Sequence, residues 1–196
     1  MNDVDHALDL TFTDNLNWRS KVTAVNVDGT PLTAGQYSLS AGSLTINQGI
    51  IQTPGNHTIV IEATGYAPSQ VSQTVNVGAI SLATSTAVLT PNSSNLQYLP
   101  VVNEITLTAK DQYGNPIPNY VFKHITQITD TDDSVDTIEV DGVSFTGTVS
   151  DVKTFQPTEL TPTDSSGVIM FTVELPTTNY SMQIDVYLND GTTFFF

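Results

Sequence analysis

The stretch PGNHTIVIEATGYAPSQVSQTV (Pro54–Val75) decides the fold class. Ile59, Ile61 and Ala63 recur every second residue with polar or solvent-tolerant residues between them, and Val71 and Val75 repeat the pattern on the far side of Thr64-Gly65. A period of two is what a strand with one buried face requires, because successive side chains point to opposite sides. Pro54-Gly55-Asn56 and Thr64-Gly65 bracket the first strand with residues that turns favour. The reading is therefore a strand, a tight turn and a second strand.

Outward from this hairpin the same alternation dominates. Leu8, Leu10 and Phe12 alternate, as do Val25 and Val27, and Leu44 and Ile46, with Asp28-Gly29 and Ala41-Gly42 as turn signals between them. Helical periodicity is nearly absent, and Asn15 to Ser20 around Trp18 is the one stretch expected to make a helical turn. Residues 78–100 are rich in small and turn-forming residues, a composition that joins domains, so a boundary is placed near residue 80. The β pattern resumes at Val102, Ile105, Leu107 and Ala109, and returns at Val168–Leu175 and Met182–Leu188. Asp141-Gly142 and Asp190-Gly191 each predict a two-residue hairpin. Phe194, Phe195 and Phe196 are expected in a packed strand, since three consecutive phenylalanines suit no solvated tail. The chain is accordingly expected to be all-β, built as two tandem Ig-like β-sandwich modules over 1–79 and 80–196, the second enlarged by an acidic insertion at about 124–162.

The 196 residues contain 5 Lys plus Arg against 20 Asp plus Glu, for a formal charge of -15, and only 13% are charged in all. Such an anionic chain repels phosphate backbones and anionic headgroups, so neither nucleic acid nor a membrane surface is an expected partner. No apolar window reaches the length of a membrane span, and the N-terminal residues lack the basic start and apolar run of a signal peptide. The expectation is a cytosolic protein or, in better accord with the rest, an excised piece of a longer secreted one. There is no Cys, which removes disulfides, thiolate nucleophiles and thiolate zinc sites. The acidic residues are uneven: residues 1–79 hold 2 basic and 6 acidic side chains, residues 80–196 hold 3 and 14.

Two resemblances sharpen this. AKDQYGNPIPNYVF (Ala109–Phe122) followed by TDSSGVIMFTV (Thr163–Val173) resembles the bacterial immunoglobulin-like domains of the invasin and intimin type, in which the first element is a turn between strands and the second begins the strand that crosses back beneath it. The segment from His124 to Pro162 departs from that pattern by its length. Trp18, VNVDG (Val25–Gly29), YSLSAGSLTI (Tyr37–Ile46) and the opening Pro54–Val75 stretch together resemble the haemoglobin-interacting domain of Gram-positive surface proteins and surface-layer proteins, over about residues 8–77. That resemblance implies an extracellular location at the bacterial cell surface or cell wall. It also offers haemoglobin as a family ligand.

The densest acidic run places Asp130, Asp132, Asp133 and Asp136 within seven residues. Calcium is the cation such a run would take, being a hard ion with 6 to 8 oxygen ligands. A helix-loop-helix calcium site is rejected, because Val135 stands where that loop needs Gly. His6, His57 and His124 are isolated, and no HExxH helix, phosphate loop or nucleophile elbow is present, so no enzyme is expected. Trp18 is read as a core position, which leaves Tyr98 and Tyr113, beside turn residues, as the expected exposed aromatics. The function expected first is a structural module of a surface layer, touching neighbouring copies and other domains of its parent chain, with calcium bridging carboxylates. The alternative is an adhesin or receptor module that binds a host protein or a glycan.

Overall fold

The computed structural model describes residues 2–91, 101–130, 135–140, 143–148, 153–175, 180–188 and 193–195. The chain is all-β and divides into two compact units, Met1–Ala79 with Asp111–Asn115, and Ile80–Lys110 with Pro116–Phe196.

The first unit contains β1 (Leu8–Thr11), α1 (Leu16–Arg19), β2 (Val22–Val27), β3 (Thr30–Pro31), β4 (Tyr37–Ser40), β5 (Ser43–Ile46), β6 (Gly55–Ala63) and β7 (Ser69–Val75). They form two antiparallel sheets, ordered β1-β5-β4 and β3-β2-β6-β7. Inward residues of both meet in one core of Leu8, Leu10, Val25, Val27, Leu44, Ile46, Ile59, Ile61 and Val75, with Val4 and Ile51 supplied by flanking segments. The alternating sets read from the sequence for this unit are thus buried with two exceptions, Phe12, which is half-buried, and Val71, which is 37% exposed. Val4 carries no periodic signal. It is fully buried because a parallel bridge between Asp3 and Asn76 draws the N-terminal segment in, with Val4 N–H donating to the Asn76 carbonyl at 3.1 Å.

The expected helical turn forms as α1. Asn15 caps it, its side-chain oxygen accepting from Trp18 N–H at 3.1 Å, and Arg19 in the last turn is held by Asp14 at 2.9 Å. The Asp28-Gly29 turn closes β2 and β3 with both residues at positive φ, 50° and 81°. Asp28 is anchored as well as turned. Its carboxylate accepts from Thr58 N–H at 2.7 Å and meets His57 Nδ1 at 2.6 Å, while His57 Nε2 faces the Thr53 carbonyl at 2.9 Å. The Thr58 amide first, and the His57 hydrogen bond next, hold the Asp28 carboxyl below its ordinary value of 3.8.

The second unit contains β8 (Thr86–Pro91), β9 (Val101–Thr108), β10 (Lys123–Asp130), β11 (Val135–Val140), β12 (Val143–Thr148), β13 (Lys153–Glu159), β14 (Val168–Leu175), β15 (Tyr180–Tyr187) and β16 (Thr193–Phe195). Its antiparallel sheets are ordered β13-β10-β15-β16 and β12-β11-β14-β9-β8. Residues 124–162 therefore contribute β10 to β13 to both sheets. Val140 faces Val143 where β11 pairs with β12, and the expected Asp141-Gly142 turn lies outside the described residues. Tyr187 faces Thr193 where β15 pairs with β16, and the expected Asp190-Gly191 turn lies outside the described residues. β13 holds Pro157, and the β10/β13 ladder shifts register beside it, between His124/Thr126 and Thr158/Phe155. A residue without N–H is tolerated at such a break. Asn103 occupies an inward position of β9 next to Ile105 and Leu107 and is 6% exposed, where the sequence reading had counted Val102.

The Thr163–Val173 element is a hydrogen-bonded staple. Thr163, 2% exposed, donates its hydroxyl to the Ile117 carbonyl at 2.7 Å and accepts from Tyr120 N–H at 2.9 Å. Asp164 then accepts from Ser166 and Val168 N–H at 2.8 and 2.9 Å, and Gly167 at φ 73° lets Ala109 N–H reach its carbonyl at 2.7 Å. The Asp111–Asn115 turn is likewise closed by its first residue, whose carboxylate accepts from Tyr113 and Asn115 N–H, both at 2.9 Å.

Candidate binding groove of the first unit

The carboxylates expected to hold calcium lie outside the described residues or their side chains do: Asp132 and Asp133 are in an undescribed segment, and only the backbones of Asp130 and Asp136 are described, in β10 and β11. Among the described residues no three His, Asp or Glu side chains converge as metal ligands. His6 pairs with Asp3 at 2.5 Å, three residues away, and His57 on β6 pairs with Asp28 of the β2–β3 turn. No described helix is long and apolar enough to cross a membrane.

The feature that the sequence reading missed is a groove of about 550 Å³ on the first unit. One wall is β1 and the chain after it, Asp9 to Thr13 with Asn15. The other is β7, through Ser69, Gln70, Val71 and Gln73, and the floor and ends carry Ile61, Trp18 and Tyr66. These two strands lie at sheet margins, β1 bonded on one side only to β5 and β7 only to β6. The groove is where the margins of the two sheets leave the core uncovered.

Its aromatic end is built from local structure. α1 presents Trp18 edge-on to Phe12, with ring centroids 5.4 Å apart and planes at 71°. Tyr66 follows the Thr64-Gly65 turn, where Gly65 has φ 83°, and its amide donates to the Ala63 carbonyl at 3.1 Å. The ring is 42% exposed and carries Lys21 Nζ over its face at 5.8 Å from the centroid. Trp18 is half-buried and packs against the first core, as its reading from the sequence expects, while also lining the groove, and Tyr66 is the exposed aromatic of this unit. Tyr113, expected at the surface, is half-buried and packs against the first core, while Tyr98 lies outside the described residues. The groove position of Trp18 and Tyr66 could not be read from sequence, because it depends on β1 and β7 coming together across the sandwich.

The chemistry this offers is contact. Apolar side chains and aromatic rings line a concave surface, and Asp9 is its one carboxylate, already accepting from the Thr45 hydroxyl at 2.5 Å. No base stands beside a nucleophile among the lining residues. Interfaces concentrate binding energy in such Trp and Tyr side chains when they sit in partly formed pockets.

No curated protein matches the chain. Among solved structures, trypsin-activated alpha-2-macroglobulin from Escherichia coli is similar at 11% identity and TM-score 0.32, over 96% of this chain, which spans 14% of the length of that one. The collagen binding domain of Erysipelothrix rhusiopathiae surface protein RspB is similar at 10% identity and TM-score 0.18, over 100% of this chain and 79% of that one. At those scores neither carries an argument about this chain. Residues 1–76 match the family described as heme-binding protein Shr-like, Hb-interacting domain, in agreement with the resemblance read from Trp18 and Pro54–Val75.

Proposed function

We propose that the chain is part of a bacterial cell-surface receptor or adhesin, in which the first unit binds a host protein of the haemoglobin kind through the groove between β1 and β7. The observation that carries this reading is the match of residues 1–76 to a family of haemoglobin-interacting domains. The groove supplies what such a role needs physically, a concave surface of mixed polar and apolar lining that includes Trp18, Phe12 and Tyr66. That match moves the weight from a surface-layer building block to a binding module. The second unit acts in this reading as an immunoglobulin-like spacer, as the Ala109–Phe122 and Thr163–Val173 elements suggest.

Titration calorimetry of the whole chain with haemoglobin tests the proposal. Saturable binding is expected, weakened by Tyr66→Ser and by Val71→Lys, two substitutions at exposed positions that leave the core untouched. Absence of heat and of complex in sedimentation would refute the ligand class. Binding that both variants retain unchanged would refute the groove.

A further inference from the structure

We infer that Lys21 sets the specificity of the groove by receiving a side-chain carboxylate of the bound protein, one carried beside the apolar residue that meets Trp18 and Tyr66. The inference rests on the proposed binding role and states the chemistry that the partner must present there. Residues 1–79 contain two basic side chains, Arg19 and Lys21, and both lie within three residues of Trp18. Arg19 is spent internally, its guanidinium held by Asp14 at 2.9 and 3.4 Å. Lys21 is exposed, and among the described residues no carboxylate lies within ion-pairing distance of its Nζ. Asp9 accepts instead from the Thr45 hydroxyl, and Glu62 from Asn26 at 3.3 Å. With 20 acidic residues to 5 basic ones in the chain, a cation left without an anion is the less expected arrangement.

The backbone holds Lys21 at the groove. Its N–H donates to the Trp18 carbonyl at 2.9 Å, and its own carbonyl accepts from Thr64 N–H at 2.9 Å. These two bonds tie the end of α1 to the turn before Tyr66, so Lys21 joins the two elements that bring Trp18 and Tyr66 to the groove. Its ammonium then stands over the face of Tyr66, 5.8 Å from the ring centroid, where the negative face of the ring attracts it.

Burial then selects the partner group. Among the described residues of this unit the large apolar side chains left exposed are Leu16 at 65%, Tyr66 at 42% and Val71 at 37%. Tyr66 and Val71 line the groove, and Leu16 stands on α1 with Trp18. A protein that covers Tyr66 strips water from Lys21 as well, and an ammonium so desolvated needs an anion beside it. A basic partner group would be repelled, and an apolar one would strand the charge. Globins are built of helices, and a helix sets an acidic and an apolar residue at i,i+3 or i,i+4 about 5–6 Å apart, the same scale as the separation of Nζ from the Tyr66 ring. The chain at -15 disfavours acidic surfaces at long range, so a carboxylate is accepted only where Lys21 meets it. Position rather than bulk charge is therefore what Lys21 reads.

The test is titration of haemoglobin into the whole chain, into Lys21→Met, which keeps the apolar stem over Tyr66 and loses the charge, and into Lys21→Arg, which keeps the charge. Lys21→Met should bind about three- to tenfold more weakly at low salt and nearly as well as the unaltered chain at about 1 M salt, where the Debye length is roughly 3 Å. Lys21→Arg should bind like the unaltered chain. Haemoglobin whose surface carboxylates are converted to neutral amides should no longer distinguish Lys21→Met from the unaltered chain. Should Lys21→Met melt more than a few degrees low, Lys21→Gln takes its place. Undiminished binding by Lys21→Met, with binding weakened in Tyr66→Ser, would sink this inference and leave the proposed function standing. A deficit that ignores salt, that Lys21→Arg shares, or that persists against the amidated haemoglobin would mean a structural role and overturn the inference too. Binding lost only when haemoglobin is reconstituted with haem dimethyl ester would overturn the choice of a side-chain carboxylate. No binding of haemoglobin to any of the chains would end the proposed function and this inference with it.

Discussion

Gly167→Ala is expected to unfold the second unit well below its normal melting temperature, and the reason can be worked out atom by atom. At φ 73° an L-residue pays roughly 1 kcal/mol for the left-handed conformation. A methyl there would also stand 2.5 Å from the Ala109 carbonyl oxygen and 3.0 Å from Ile117 N, where an ordinary contact begins at 3.4 Å. Both obstacles are backbone, so relief requires β9 and β14 to part at their shared end, straining the 2.7 Å bond from Ala109 N–H to the Gly167 carbonyl. Overpacking of this kind costs about 1–3 kcal/mol and a lost hydrogen bond about 1 more. The sum is about 3–5 kcal/mol, a large share of a domain's stability, and corresponds to a fall of roughly 10 °C or more. The control is Gly65→Ala, at φ 83° with nothing within 4 Å of the added methyl, where only the conformational part of about 1 kcal/mol applies. Calorimetric melts of both variants check the difference. A Gly167→Ala chain that melts within about 2 °C of the unaltered one, or no worse than Gly65→Ala, would refute the steric argument.

Thr163→Val keeps the shape but strands the Tyr120 amide and the Ile117 carbonyl, so urea unfolding of the second unit should show a loss of about 2–4 kcal/mol. Ile59→Ala and Val71→Ala remove similar side chains from two residues that face each other. The first should cost about 2–5 kcal/mol and the second under about 0.5, and equal losses in chemical denaturation would mean that β7 is not exposed as described. Asp28→Asn should destabilise the first unit at neutral pH and not in strong acid. The Asp28 carboxyl is held below 3.8, so its contribution is complete above that value and vanishes as pH falls through the lowered one; a stability gap between the two proteins that persists in acid would count against this.

The amino-acid order by itself determined the secondary structure and most of the first core. Leu8, Leu10, Val25, Val27, Leu44, Ile46, Ile59 and Ile61 declare an inward face because side-chain direction in a strand alternates with no help from distant residues. The Asp28-Gly29 turn and the helical turn within Asn15 to Ser20 were legible for the same reason, each being made within a few residues by a short polar side chain or a glycine. Only tertiary structure decided which faces stay covered. Val71 sits at an inward position yet meets water, because no described strand lies beyond β7. Trp18 and Tyr66, 48 positions apart in the chain, share a groove for the corresponding reason, that two sheets left their margins open at the same side. Burial at a sheet margin depends on the strand that would lie beside it, and no local pattern reports whether that strand exists.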